Sequence, residues 1–342
     1  MLLPSNFTNR RYQEVPHTWK QLQELGVTRT MLHRYFEPCT FKTWLAKPPE
    51  ILRALELAQT AKQRTAILER HASRPPLEFP HDVRVRGHFM AHPSWIAGGI
   101  SALAIQGFPY FHEGQPAQMI TPSSRKSAQH PRQARRSTVK VSFEPIIRHD
   151  RLLPNLPLAP LPIAASQFLT SICQQKHTWY SAQLPRIKPS HLRIVQGADA
   201  LCTFTNLTPA ELIAQVNDVL PVSREVQQVV LKHGALGADS PPETWLRLLL
   251  KPVLPDLEVQ VRIADADGPI ATADLGSWET RLMIFYDGAY HSSSDQREWD
   301  TEVNTRLTAL GLTPLRLSAR SMRDPERVLD RVRAIIRHKS RG

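Results

Sequence analysis

Cysteine is scarce in this chain. Only Cys39, Cys173 and Cys202 occur among 342 residues, far apart and without paired spacing. That excludes a disulfide framework and a cysteine-based structural zinc site, and it fits a reducing compartment. Each is expected to act as a small buried hydrophobe. Long apolar runs are also missing. The longest, LLPNLPLAPLPIAA (152–165), is broken by Pro154, Pro157, Pro160 and Pro162. It cannot make a membrane-spanning helix, which needs about 20 apolar residues in helical form. The opening MLLPSNFTNRR shows no charged start followed by an apolar stretch, so no signal peptide and a cytoplasmic location are expected. No heptad run is visible, and the oligomeric state stays open.

Acidic residues are missing from Gly114 to Phe143, where Arg125, Lys126, Arg132, Arg135, Arg136 and Lys140 all occur. Over the whole chain, 43 Lys and Arg face 31 Asp and Glu, a formal charge of +12, with an isoelectric point near 10.0. Such an excess favours polyanionic partners through phosphate contacts and counterion release. The basic stretch reads either as a solvated hairpin or as a nonspecific phosphate clamp leading into a strand, STVKVSF. DNA is the expected partner, with no membrane and no small-molecule cofactor.

Residues 17–35 read as two short helices, Thr18 to Leu25 and a second capped by Thr28, around a Gly26-Val27 turn. This is the helix-turn-helix pattern, with Arg29 and Arg34 on the reading helix; a plain helical hairpin gives the same pattern. Residues 48–73 read as one helix, and the stretch around 88–110 as a second, apolar one ended by Gly107. His88 and His92 stand four apart, but Pro93 argues against a helical turn there, and no further ligand completes a metal site. Residues 152–165 read as a stiff connector and 166–220 as mainly helical, with Thr208, Pro209 and Glu211 marking one helix start.

From Ser240 the pattern becomes regular. SPPETWLRLLL starts with a capping box of Ser240 and Glu243. LEVQVRI and PIATADL form a hairpin around ADADG, and TRLMIFYD reads as a central strand buried on both faces. A helix with Trp299, Val303, Leu307 and Leu310 on one face follows, then the strand TPLRLS and a last helix capped by Asp324. The order helix, hairpin, strand, helix, strand, helix defines an α/β domain of about 100 residues.

Chemistry enters through Glu243, Asp274, Asp287 and His291. Carboxylates at adjacent strand ends, Asp274 and Asp287, can hold Mg²⁺, which needs only one or two protein carboxylates plus phosphate and water. His291 can carry a proton beside them. Each residue also has a plain structural role: Glu243 as the cap partner of Ser240, Asp287-Gly288 as a hairpin dipeptide, Asp274 as a strand end, His291 as a surface residue.

SPPETWLRLLL, ADLGSWETRLMIFYDGAYH, WDTEVNTRLTALGLTPLRLSA and DPERVLDRVRAII resemble the very-short-patch-repair-type endonuclease domain, a branch of the PD-(D/E)XK nucleases, over roughly 240–338. The N-terminal part, through 17–35 and HPSWIAGGISALAIQGFPYF, resembles more weakly the AbiEi-family winged-helix antitoxins of actinobacteria. The resemblance implies that Glu243 is the acidic residue of the first helix and Asp274 the metal-binding aspartate. It also implies that Tyr286-Asp287-Gly288 and His291 are the acidic turn and its histidine, and that Asp300 is an acidic residue of the next helix. Phe285 stands where the family usually has Glu; the helix after Asp300 carries fewer arginines than usual, and Leu312 follows Gly311 in place of Trp.

The expected fold class is α/β, a mainly helical winged-helix-like N-terminal region plus a restriction-endonuclease-like C-terminal domain. The expected regions are 1–75 (helix-turn-helix), 76–235 (mixed, antitoxin-like) and 236–342 (endonuclease-like). The leading expectation is a DNA-binding protein whose Mg²⁺- or Mn²⁺-dependent hydrolase domain cuts DNA phosphodiesters, or has lost that activity at Phe285. The alternatives are a non-enzymatic AbiEi-type regulator and a protein-binding module.

Overall fold

The computed structural model describes residues 3–71, 73–123, 130–287 and 294–339, with the side chains of 294–299 and 339 outside the description. The protein is mixed α/β, with three small sheets among the described residues. It divides into two compact units, Met1–Phe168 with Asp218–Pro221, and Leu169–Asn217 with Val222–Gly342. The division runs through the stretch 76–235 and groups 169–217 and 222–235 with the C-terminal segment.

In the first unit, Asn9 caps α1 (Arg10–Glu14), and β1 (His17–Thr18) follows. Thr18 and Gln21 form the capping box of α2 (Trp19–Glu24). Gly26, at φ +81°, turns the chain where a side chain would be strained. Thr28 then caps α3 (Arg29–Tyr35) by accepting from the Met31 amide. β2 (Phe36–Pro38) and β3 (Thr43–Ala46) form an antiparallel hairpin, and β1 joins it in the order β1-β3-β2. Phe7, Leu22, Leu32, Phe36 and Leu52 bury their apolar surface together and hold these elements in place.

Four expectations need correction here. Residues 48–73 form two helices, α4 (Pro49–Leu57) and α5 (Ala61–Arg70), because Thr60 and Gln63 build a capping box that starts a new helix. The stretch around 88–110 is not one helix but the end of α6 (His81–Ala91), β4 (Ile96–Ala97) and α7 (Gly99–Ile105). Pro93 forces its neighbour His92 out of helical angles, yet the His92 amide still bonds the His88 carbonyl at 3.0 Å. The strand near 137–143 lies earlier, as β6 (Arg135–Ser137), parallel to β5 (Gln118–Ile120). The proline-rich stretch is packed core: Leu156, Leu158, Ala159 and Ile163 are fully buried, and Leu158 bridges to both Ala97 and Ile146. Its prolines break the helix pattern until α8 (Leu161–Cys173) begins inside it.

The second unit carries α9 (Pro189–Thr205), most of α10 (Pro209–Val219) and α11 (Arg224–His233). The Thr208–Glu211 box opens α10 as the sequence predicts. The regular C-terminal order is also as predicted: α12 (Pro241–Leu250), β7 (Glu258–Asp265), β8 (Gly268–Ser277), β9 (Leu282–Asp287), α13 (Ser294–Ala309), β10 (Thr313–Ser318) and α14 (Pro325–Lys339). The sheet order is β10-β9-β8-β7; β9 is parallel to β10 and antiparallel to β8. Leu282 and Ile284 pack in one layer with Trp245 of α12 and Val332 of α14, while Met283 and Phe285 pack in the other with Val303 and Leu307 of α13. β9 is therefore covered on both faces by strict alternation.

The hairpin β7–β8 breaks that alternation. Val259 and Leu275 are register partners and both pack on the α12 side; the next partners, Val261 and Ala273, both pack on the α13 side. Two residues apart on a strand should share a face. Both strands turn over at the rung between them, Gln260 opposite Asp274, and Gln260 takes the left-handed angle φ +51°.

Candidate functional site

Glu243 sits in the first turn of α12, nearly sealed from solvent. Ser240 Oγ donates to its Oε1 at 2.7 Å, while the Asp239 amide and Gln260 Nε2 each donate to Oε2 at 2.9 Å. Burial lifts its carboxyl to about 6; the negative charge of Asp274 adds to the rise, and the three hydrogen bonds oppose it. The cap role expected of Glu243 is made, and the same carboxylate also bonds Gln260 of β7.

Asp274 lies inside β8, a correction to its expected place at a strand end. It is nevertheless where pairing stops. The β8–β9 ladder ends at Leu275 and Ile284, and the Tyr286 amide is taken instead by Asp274 Oδ2 at 2.6 Å. Burial raises the Asp274 carboxyl; the Tyr286 and Gln260 bonds oppose this, and Asp239 and Asp287 push it further up. Gln260 thus bonds Glu243, and it also lowers the Asp274 carboxyl. Holding a non-glycine residue left-handed costs on the order of 1–3 kcal/mol, which the surrounding contacts must offset.

Asp287 ends β9 and is exposed. Its Oδ1 receives Arg316 Nη1 at 3.1 Å, and Arg316 Nη2 reaches Asp300 Oδ1 at 2.9 Å. The same guanidinium lies over the Phe285 ring, 5.2 Å from its centre. Phe285 itself belongs to the α13-side core. Asp274 is thus grouped with Glu243, and Asp287 and Asp300 with Arg316. His291 lies outside the described residues. Among the described residues, no three His, Cys, Asp or Glu side chains come together as a metal-holding group.

The basic residues fall in several settings. Arg29 is exposed at the start of α3 and Arg34 half-buried near its end. Arg132 is half-buried, and its amide bonds His130. Arg135 and Arg136 belong to β6; burial lowers the pKa of Arg135, and Arg136 lies 6.0 Å over the Trp95 ring. Lys140 is exposed, and Arg125 and Lys126 lie outside the described residues. His88 is buried and held neutral, pushed down to about 3, first by burial and then by His92 and Arg84.

The sequence reading misses Gln260, Asp239 and Arg316. VQVR alternates like any strand and carries no mark of a left-handed residue, and Arg316 gains meaning only when β10 is set beside β9. Asp239 had a local signal, since it directly precedes the Ser240 cap. No protein-family model matches the chain, and no curated protein or solved structure matches it.

Proposed function

We propose that the chain is a DNA-binding protein whose C-terminal unit carries a very-short-patch-repair-type endonuclease site for DNA phosphodiesters. The observation that carries this reading is Gln260, held left-handed while bonding Glu243 beside a second largely buried carboxylate, Asp274, whose charge raises the Glu243 carboxyl. Ordinary strand packing gives no reason to gather acids there; backbone strain at such a rung is typical of a working site.

The carboxylates fit Mg²⁺ or Mn²⁺, because a divalent cation would return both to the ionised form that burial opposes. Such a cation polarises phosphate and lowers the pKa of bound water. Glu243, with a carboxyl near 6, is suited to orient or deprotonate a water near neutral pH. Asp287 would be a further ligand if Arg316 released it, and His291 would carry a proton beside the site. The order α1, β1, α2, α3, β2, β3, with β1 beside β3, supports a winged-helix reading of the N-terminal part, with Arg29 and Arg34 on the groove-reading helix.

A plasmid nicking assay with Mg²⁺ or Mn²⁺ tests the proposal. Cleavage by wild type that disappears in Glu243→Gln and Asp274→Ala supports it; cleavage untouched by either change refutes this site.

The contact between Arg316 and Asp287 favours a second reading, a non-enzymatic AbiEi-type regulator. A guanidinium occupies the second aspartate and covers Phe285, where the resembling family has a carboxylate. Sequence-selective DNA binding with no divalent-cation binding by calorimetry would select this reading.

A further inference from the structure

A cleft of about 600 Å³ opens beside the end of β10, and Arg320, Arg323, Arg327 and Arg331 line it together with Ser318 and Asp324. All four arginines are exposed. Elsewhere in this unit Arg247, Arg306, Arg316 and Arg333 each hold a carboxylate. Among the described residues the four lining the cleft hold none. The one acid in the lining, Asp324, is already engaged at Oδ1 by the Arg327 amide at 3.1 Å. The N-terminal end of α14, a 15-residue helix, adds its own positive pole. Four like charges crowded against a single acid leave a net positive charge whose repulsion a polyanion relieves.

The cleft's position relative to the carboxylates follows from the sheet. Ser318, on the cleft wall, is the register partner of Asp287, and β9 and β10 run parallel, so their C-terminal ends lie together. The Tyr286 amide at that end is the one bonded by Asp274. Val328 of the cleft and Tyr286 pack in the same cluster as Trp245 of α12, the helix that carries Glu243. The cleft and the two carboxylates are therefore on one face and at one end of the sheet. With strands about 4.8 Å apart, β10 and β8 are about 10 Å apart. A nucleic-acid strand rising about 3.4 Å per nucleotide covers that distance in about three nucleotides.

We infer that the cleft of Arg320, Arg323, Arg327 and Arg331 binds the phosphodiester backbone of a nucleic-acid strand and anchors the phosphates flanking the one presented to Glu243 and Asp274. The anchoring role rests on the nuclease reading; backbone binding at the cleft does not.

The test uses the full chain in EDTA, where no divalent cation is present and cleavage cannot intervene. The chain is treated with an arginine-specific dicarbonyl reagent, with and without a short DNA duplex, and the modified peptides are quantified by mass spectrometry. All four arginines are expected to be protected several-fold by DNA, while the exposed Arg262 on β7 reacts equally in both cases. In parallel, Arg327→Glu is expected to lower duplex affinity about tenfold and to reduce the salt slope by about one, whereas Arg262→Glu, with the same change in charge, does neither. Among the described residues Arg327 has no side-chain partner to lose, and a thermal melt checks that the variant is folded. Equal reactivity with and without DNA, or identical behaviour of the two charge swaps, overturns the inference. So does protection by inorganic phosphate equal to that by DNA at matched phosphate concentration, which marks a small-anion site. If protection holds but Mg²⁺ brings no cleavage, the nuclease reading fails alone.

Discussion

Gln260 Nε2 donates to Glu243 Oε2 at 2.9 Å from a backbone held at φ +51°, opposite Asp274 on the neighbouring strand. A hydrogen bond and a strained backbone are thus coupled in one residue, and substitutions can separate them. Gln260→Ala loses the bond to Glu243 and keeps the strain. Gln260→Gly loses the same bond but relieves the left-handed angle. Ala is expected to cost about 1–3 kcal/mol and Gly about 1 kcal/mol less, measured by urea unfolding monitored in the C-terminal unit. Equal costs would show that the angle stores no strain.

Glu243 gives a pH-dependent signature. Its folded carboxyl lies near 6, above its ordinary value of 4.5, so the folded state holds the proton more tightly. The stability this confers is fully present below pH 4.5 and is lost as pH rises through about 6. Glu243→Gln removes the charge while its oxygen can still accept from Asp239 and Gln260. The variant is expected to be more stable than wild type by about 1 kcal/mol at pH 8, with the gain vanishing below about pH 4.5. A gain that persists at pH 4 would show that ionisation is not its origin.

The histidines of the N-terminal unit run the opposite way. His88 is pushed to about 3 and His17 to about 4, in both cases mainly by burial. The unfolded chain therefore takes up protons that the folded unit refuses, and stability falls as pH drops from about 6.5 toward 4. Hydrogen exchange of α6 should accelerate over this range in wild type and change less in His88→Gln.

Phe285 and Arg316 report on whether a carboxylate can be restored. Phe285→Glu removes a ring from the α13-side core and is expected to cost about 3–5 kcal/mol, offset in part by pairing with Arg316. Arg316→Met breaks only partly exposed pairs and is expected to cost under about 1 kcal/mol while freeing Asp287. If Asp287 is a latent metal ligand, Arg316→Met tightens Mg²⁺ binding in calorimetry; unchanged binding excludes that role.

Asp199 and Arg247 form a buried pair at 2.7 Å, and Asp199 also accepts from Thr244 and from the Ala235 amide. Asp199→Ala strands the guanidinium and is expected to cost about 3–5 kcal/mol. Because α9 and α12 are joined through this pair, the Glu243 hydrogen bonds should loosen with it, visible as faster exchange of the Asp239 amide.

What was legible in the sequence was local. Thr28, Thr208, Ser240 and Asp324 announce helix starts through side chains acting three residues away, and all four caps are made. The alternation and burial of β9 were legible for the same reason. Pro93 misled in the other direction, since a proline marks a break but not whether helix or strand lies beyond it. The face switch at Gln260 was invisible because the period of VQVR carries no mark of it; it shows only when Val259 and Val261 are found in different core clusters. Arg316 was invisible because its partners, Asp287 and Asp300, are 29 and 16 residues away. Of the candidate residues, the sequence names Glu243 and Asp274, which the fold places near one another, but not Gln260, which bonds Glu243.

The turnover of the β7–β8 hairpin has a consequence for how the molecule matures. A hairpin zipped one residue out of step no longer sets Gln260 opposite Asp274, and its apolar residues are offered to the wrong helices. Glu243 then loses its Gln260 donor, and Asp274 is turned away from it. The arrangement of the two carboxylates is thus conditional on correct strand alignment, so that a kinetically trapped chain, even one with normal helix content, lacks it.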